Sequence, residues 1–200
     1  MSLPDFVGFP HIARLNRGIV ITEKIDGTNG QIYIEEDGVT MHVGSRTRWL
    51  DTSIDNFGFR AWADKYHDEL LMLGPGHHFG EWWGSKIQRR YGLKDGDRRF
   101  SLFNVHLWGD SEIDLQTNVS NRMRPPCCDV VPVLYRGLFS EYAIQCALNH
   151  LRTHGSMAAP GFMEPEGIII YHEAAKTLFK VTLEHDEVPK SLITAPTAQP

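Results

Sequence analysis

Two Asp-Gly dipeptides, Asp26-Gly27 and Asp37-Gly38, each follow a short apolar run near the start of the chain, and they restrict what it can build. Gly18-Ile19-Val20-Ile21-Thr22 is β-branched and too brief for a helix, so it reads as a strand ended by the first of these turns. Asp37-Gly38 sits between alternating segments at 31–36 and 39–43, the pattern of a two-residue β-hairpin. Further strands fit at 77–83, 99–108, 129–135, 166–172 and 177–184. Two helices interrupt them. Trp62, Tyr66 and Leu70 recur at helical spacing within 56–73. Ser140 can cap a second helix whose inner face carries Ala143, Ala147 and Leu151 and which Gly155 ends. There is neither regular βαβ alternation nor a glycine fingerprint for dinucleotides, so the fold class is α+β.

At 200 residues, 42% apolar and 22% charged, the chain is long enough to bury one full core. One domain is expected over 1–188, followed by a disordered tail at 189–200. No apolar run approaches a membrane span, and Met-Ser-Leu-Pro-Asp is not a signal sequence, so a cytoplasmic protein is expected. Cys127, Cys128 and Cys146 form neither a disulfide framework nor a metal-ligand spacing. The net charge of −5 argues against a nucleic-acid partner only on average. Between residues 86 and 99, Lys86, Arg89, Arg90, Lys94, Arg98 and Arg99 face only Asp95 and Asp97, with Tyr91 interleaved. This stretch is either a phosphate-binding rim, with Arg89, Arg90, Arg98 and Arg99 as RNA contacts, or a solvated basic loop.

Lys24, in Glu23-Lys24-Ile25-Asp26-Gly27-Thr28-Asn29, falls at the end of the first strand. An amine becomes nucleophilic when burial or a second cation favours its neutral form. Lys-x-Asp-Gly by itself arises by chance in about one chain in twenty of this length, and a surface lysine beside a turn explains it equally well. The partners downstream decide. The full heptapeptide resembles the adenylylation motif of the RNA ligase 2 group, within the covalent nucleotidyltransferases that include DNA ligases and capping enzymes. Ser45-Arg46, Phe79-Gly80-Glu81-Trp82-Trp83-Gly84, Phe100-Ser101-Leu102-Phe103-Asn104-Val105, Glu166-Gly167-Ile168-Ile169-Ile170 and Phe179-Lys180-Val181 resemble the later motifs in the same order.

The resemblance implies two packed antiparallel sheets flanked by helices, an ATP-grasp-like nucleotidyltransferase domain without an OB domain. It implies that Lys24 attacks the α-phosphorus of ATP and carries AMP. Lys180 would touch the α-phosphate and keep Lys24 neutral, and Glu166 would hold Mg²⁺ or Mn²⁺. Glu81 would contact the ribose hydroxyls and Phe100 would stack on adenine. Arg46 would bind ATP phosphates or the RNA 5′-phosphate, Asn29 would act in AMP transfer, and Glu23 would orient the adenine edge or Lys24. The substrate would be RNA with 5′-phosphate and 3′-hydroxyl ends, with an accessory protein able to supply end recognition. Trp82 and Trp83 read as core or pocket wall, and His77 and His78 as structural or surface residues.

Two departures stand out. Thr182 occupies the second lysine of the usual Lys-x-Lys, leaving Lys176 as a candidate substitute, and Asn104 replaces an aspartate. A DNA ligase, a capping-type guanylyltransferase, or a nucleotide- or RNA-binding module without turnover are the alternatives.

Overall fold

A computed structural model describes residues 3–109, 124–184 and 186–187. The expected tail at 189–200 lies outside the described residues. Among the described residues nine strands form two sheets, and their pairing explains why the apolar runs are so short. The first sheet has the order β7-β1-β8-β9, from β1 (Gly18–Lys24), β7 (Val133–Leu138), β8 (Gly167–His172) and β9 (Thr177–Thr182), all antiparallel. The second has the order β3-β2-β4-β5-β6, from β2 (Thr28–Ile34), β3 (Met41–Gly44), β4 (Gly76–Gly84), β5 (Arg98–Leu102) and β6 (Cys128–Val130). Its pairs are antiparallel except β5–β6, which is parallel, a correction to the wholly antiparallel expectation.

β1 is buried on both faces, as its uninterrupted β-branched run requires. On one side, Ile19 and Ile21 join Ile168 and Ile170 beneath the helix α4 (Glu141–His154), through Ala147, Leu148 and Leu151. Ser140 caps that helix by accepting from the Ala143 N–H at 3.3 Å, and Gly155 ends it. On the other side, Val20 and Ile25 meet Trp83, Tyr91, Val105 and Val131, which packs the first sheet against the second. β2 alternates instead. Gly30, Ile32 and Ile34 turn inward to a core with Val43, Phe59, Trp82 and Phe100, while Asn29, Gln31 and Tyr33 face the other way.

The expected helix over 56–73 is three pieces: α1 (Phe59–Lys65), α2 (His67–Leu70) and a 3-10 turn at Leu71–Leu73. The break is at Tyr66, whose backbone leaves helical geometry (φ −106°, ψ 25°). Both Leu70 and Leu73 thereby reach full burial. The strand expected at 99–108 stops at Leu102, because the Asn104 side chain accepts from the Leu107 N–H at 3.1 Å and starts the helix α3 (Val105–Trp108). The strand expected at 129–135 divides at Pro132, which cannot donate to a ladder. Its halves, β6 and β7, enter different sheets. Among the described residues no helix is long and apolar enough to cross a membrane.

Candidate active site

β1 belongs to the first sheet and β2 to the second, so Asp26-Gly27 is a crossover between sheets and not a hairpin. This rules out the plain surface turn beside Lys24. Gly27 is required by space: a Cβ there would strike the Trp82 carbonyl and lie 2.8 Å from the Trp83 Cβ. Lys24 ends β1 in register with Gly167 at the start of β8. Its Nζ donates to Glu166 Oε2 in an ion pair whose carboxylate is almost wholly buried. Such a pair holds only while both partners remain, because either charge alone would be stranded away from water.

The crossover is fastened from three directions. Glu81 Oε1 accepts from the Gly27 N–H at 3.0 Å and Oε2 from Asn29 Nδ2 at 3.2 Å, while Arg46 Nε donates to Asn29 Oδ1 at 2.6 Å. Glu81, Asn29 and Arg46 are thus one chain of hydrogen bonds beside Lys24, with the Arg46 side chain open to solvent. Burial pushes the Glu81 carboxyl up to about 7. The Gly27 amide and Lys24 oppose that shift, and the charges of Glu166 and Asp26 add to it. From beneath, the Tyr91 hydroxyl accepts from the Asp26 N–H at 2.7 Å, and burial holds that phenol in its protonated form.

Lys180 lies on β9 opposite Ile169, and Ile169 pairs with Thr22 of β1. Lys180 therefore shares the face of Lys24, two strands away and about 12 Å between Cα atoms, a gap that two lysine side chains can span around a phosphate. Thr182, in the row of Gly167 and Lys24, donates its hydroxyl to the Glu184 carbonyl at 2.9 Å and its N–H to Asp186 Oδ1 at 2.8 Å. Lys176 falls in the β8–β9 turn at the opposite end of the strands, about 20 Å along β9 from Thr182, so it does not stand in for the missing lysine.

Five other expected positions differ. Phe100 pairs with Trp82, not Glu81, and is fully buried against Phe59 and Trp62 on the far face of the sheet, closed to an adenine ring. Glu23 points away from Lys24, as strand alternation dictates: its Oε2 accepts from the Met157 and Ala158 N–H groups at 2.8 and 3.0 Å. Burial raises its carboxyl above the ordinary range, opposed by the Ser156 hydroxyl and the two amides. Arg89 is not a free rim cation: it pairs with Asp26 at 3.3 Å and donates to the Glu164 carbonyl at 3.0 Å. Arg98 donates to the Phe57 and Ser85 carbonyls at 2.6 and 3.0 Å, and Arg99 pairs with Asp97 and lies over the Trp83 ring. Arg90, by contrast, is exposed, on a backbone with φ 61°.

Asp26, Tyr91 and Arg89 as positioning groups were missed from sequence. The one available signal was Tyr91 amid the basic stretch, which pointed outward to RNA instead of inward to the crossover. Among the described residues no three His, Cys, Asp or Glu side chains converge as a metal cage. Glu166, buried beside Lys24, suits a divalent ion that brings phosphate and water ligands with it.

A lysine at the seam of two sheets, paired with a buried glutamate and flanked by a carboxylate–amide–guanidinium chain, is an amine held in a preorganised polar site. The chain belongs to the RNA ligase family, whose model matches residues 17–182. No curated protein matches it in sequence. Among solved structures it resembles Naegleria gruberi RNA ligase variants. One without nucleotide matches with a TM-score of 0.56 and 18% identity over 84% of this chain and 50% of that one. One with AMP and manganese gives 0.56 and 19% over 90% and 57%. One with ATP and manganese gives 0.53 and 18% over 84% and 49%. The chain spans about half the length of those proteins.

Proposed function

We propose that the chain is the nucleotidyltransferase domain of an ATP-dependent RNA ligase. The observation that carries this reading is the pairing of Lys24 with buried Glu166 at the crossover clamped by Glu81. Family membership supports RNA as substrate, and the Naegleria structures with ATP or AMP and manganese support a nucleotide and a divalent ion.

Nζ of Lys24, once neutral, attacks the α-phosphorus of ATP; a P–N bond forms, the bond to pyrophosphate breaks, and lysyl-AMP remains. Lys180 and Arg46, both exposed at the site, neutralise charge that develops on phosphate oxygens. Glu166 would hold Mg²⁺ or Mn²⁺, directly or through water, and its carboxylate meanwhile keeps Lys24 in place. The ion would supply charge neutralisation at the α-phosphate. An RNA 5′-phosphate oxygen then attacks the AMP phosphorus, forming a pyrophosphate linkage as the P–N bond breaks and the Lys24 amine leaves and takes up a proton, with Asn29 and Arg46 at that end of the site. Finally a 3′-hydroxyl attacks the activated 5′-phosphate, sealing the strand and releasing AMP. Thr182 favours a second reading, a binding module without turnover, since its hydroxyl is engaged with the Glu184 carbonyl where the family carries a cation.

Incubation with α-labelled ATP and Mg²⁺ or Mn²⁺ separates the readings. The ligase reading expects an acid-labile label on the polypeptide, absent from Lys24→Ala and Lys24→Arg. Label from GTP in preference to ATP would indicate capping chemistry, and no label with retained ATP binding would indicate the module.

A further inference from the structure

The face of the second sheet that turns away from its core carries a ladder of aromatic rings that nothing in the fold requires. Tyr33 of β2 lies between its register partners His42 of β3 and His77 of β4, with ring centroids at 5.8 and 4.3 Å and planes within 24°. Trp49 continues the row beside Tyr33 and His42 at 6.3 and 5.8 Å, and Phe79 stacks on His77 at 6.0 Å with planes 7° apart. The terminal rings remain open, Trp49 and Phe79 each 51% exposed. The core of these same strands is made by the opposite face, through Ile32, Ile34 and Val43. Exposed aromatic surface of this extent marks a binding site more often than a packing need.

The ladder is continuous with the site. Asn29 and Tyr33 lie on the same face of β2, four residues and about 13 Å apart. The turn that brings Trp49 to the ladder also carries Arg46, bonded to Asn29, and the exposed Arg48. A cationic edge therefore runs from the reacting end to an aromatic face, the combination by which proteins hold single-stranded nucleic acid: backbone on the cations, bases on the rings. Thirteen ångströms corresponds to about four stacked nucleotides at ~3.4 Å each.

We propose that this ladder is a single-stranded RNA platform, on which bases adjoining the reactive 5′-phosphate stack on the open rings of Trp49 and Phe79, held in row by Tyr33, His42 and His77, while Arg46 and Arg48 face the backbone. It rests on the RNA-ligase reading for the identity of the partner. It replaces the basic stretch at 86–99, where Arg89 and Arg98 are held by the protein itself, as the principal RNA surface.

The test compares the full chain with a Tyr33→Leu/Trp49→Leu/His77→Leu variant and a Tyr33→Phe/Trp49→Phe/His77→Phe variant, each titrated into a fluorescent 5′-phosphorylated oligoadenylate. Loss of a stacked base costs about 5- to 150-fold per ring. The leucine variant should therefore bind at least about tenfold more weakly, and the phenylalanine variant within about twofold of wild type. Wild-type affinity in the leucine variant, or equal loss in both, would overturn the platform. So would a wild-type dimer in sedimentation that dissociates in the leucine variant while RNA affinity is unchanged, since the face would then join copies of the chain. If the leucine variant unfolds, Trp49→Leu at the open end of the ladder is read alone and should lose about fivefold or more; no loss rejects the platform. RNA binding is read directly, and labelling by α-labelled ATP is followed in parallel. An unlabelled wild type would defeat the ligase reading, whereas equal labelling with equal RNA binding in all variants would defeat only the platform.

Discussion

Glu81 shows how much one side chain can be asked to do at such a seam. Both of its oxygens hold the crossover, yet it is buried, and its carboxyl is raised from the ordinary 4.5 to about 7. A raised carboxyl means that the fold favours the protonated form. Its contribution to stability is complete below about pH 4.5 and is lost as the pH rises through 7. Wild type should accordingly be less stable at pH 8 than at pH 5, by an amount of up to about 3 kcal/mol from this residue, and Glu81→Gln should flatten that dependence in urea unfolding. Glu23 is shifted the same way, so the dependence should diminish without vanishing. A Glu81→Gln profile as steep as wild type would show that the carboxyl ionises normally. Glu166→Ala should reduce metal-dependent labelling by about tenfold or more, because it removes both the proposed ion ligand and the partner that holds Lys24. Labelling at the wild-type rate would exclude that role.

Among elements, α3 and the β4–β5 connection are where local chemistry overrode strand patterning. Asn104 caps α3, so Asn104→Ala should lower stability by about 1 kcal/mol and leave labelling by ATP intact. A loss of labelling would instead give Asn104 a place near the reaction. In the connection, Lys86, Gln88, Arg90 and Tyr91 all have positive φ, a run of backbone that ordinary residues avoid. The Tyr91–Asp26 and Arg89–Asp26 contacts hold it there. Arg89→Ala should therefore lower the melting temperature and slow labelling while leaving the salt dependence of RNA binding unchanged. A slope reduced by about 0.7 or more would return Arg89 to the phosphate contacts expected from sequence.

At the scale of the whole molecule, the site exists only where the two sheets meet. Lys24 and Glu166 come from the first, Asn29 and Glu81 from the second, and the apolar contacts of Val20 and Ile25 with Trp83 and Tyr91 fix their spacing. Arg89 adds a polar tie across the same seam through Asp26 and the Glu164 carbonyl. We expect sealing of 5′-phosphorylated RNA by this chain to be slower than its self-adenylylation, because sealing additionally needs two RNA ends held in register at the seam. Comparison of single-turnover sealing of pre-adenylylated RNA with the labelling rate measures this directly.

Most strands, the chain reversal at Asp37-Gly38, there a loop longer than the two residues expected, and the capped helix over Ser140 were legible in the sequence, whereas the pairing of Lys24 with Glu166 was not. Strand periodicity, turn chemistry and caps act over a few residues, and the ordered motifs carried the rest. What only the tertiary structure decided was which face each side chain takes and what already occupies it. Phe100 and Glu23 lie on strands as expected, but a shift of one position reverses a strand side chain, which set Phe100 in the core and turned Glu23 to the Met157 amide. Arg89 and Arg98 looked available because charge can be counted from sequence, whereas their carbonyl partners come from residues far along the chain. The aromatic ladder was hidden for the same reason. Tyr33, His42, Trp49 and His77 are scattered in sequence, and only register across three strands brings their rings together on one face.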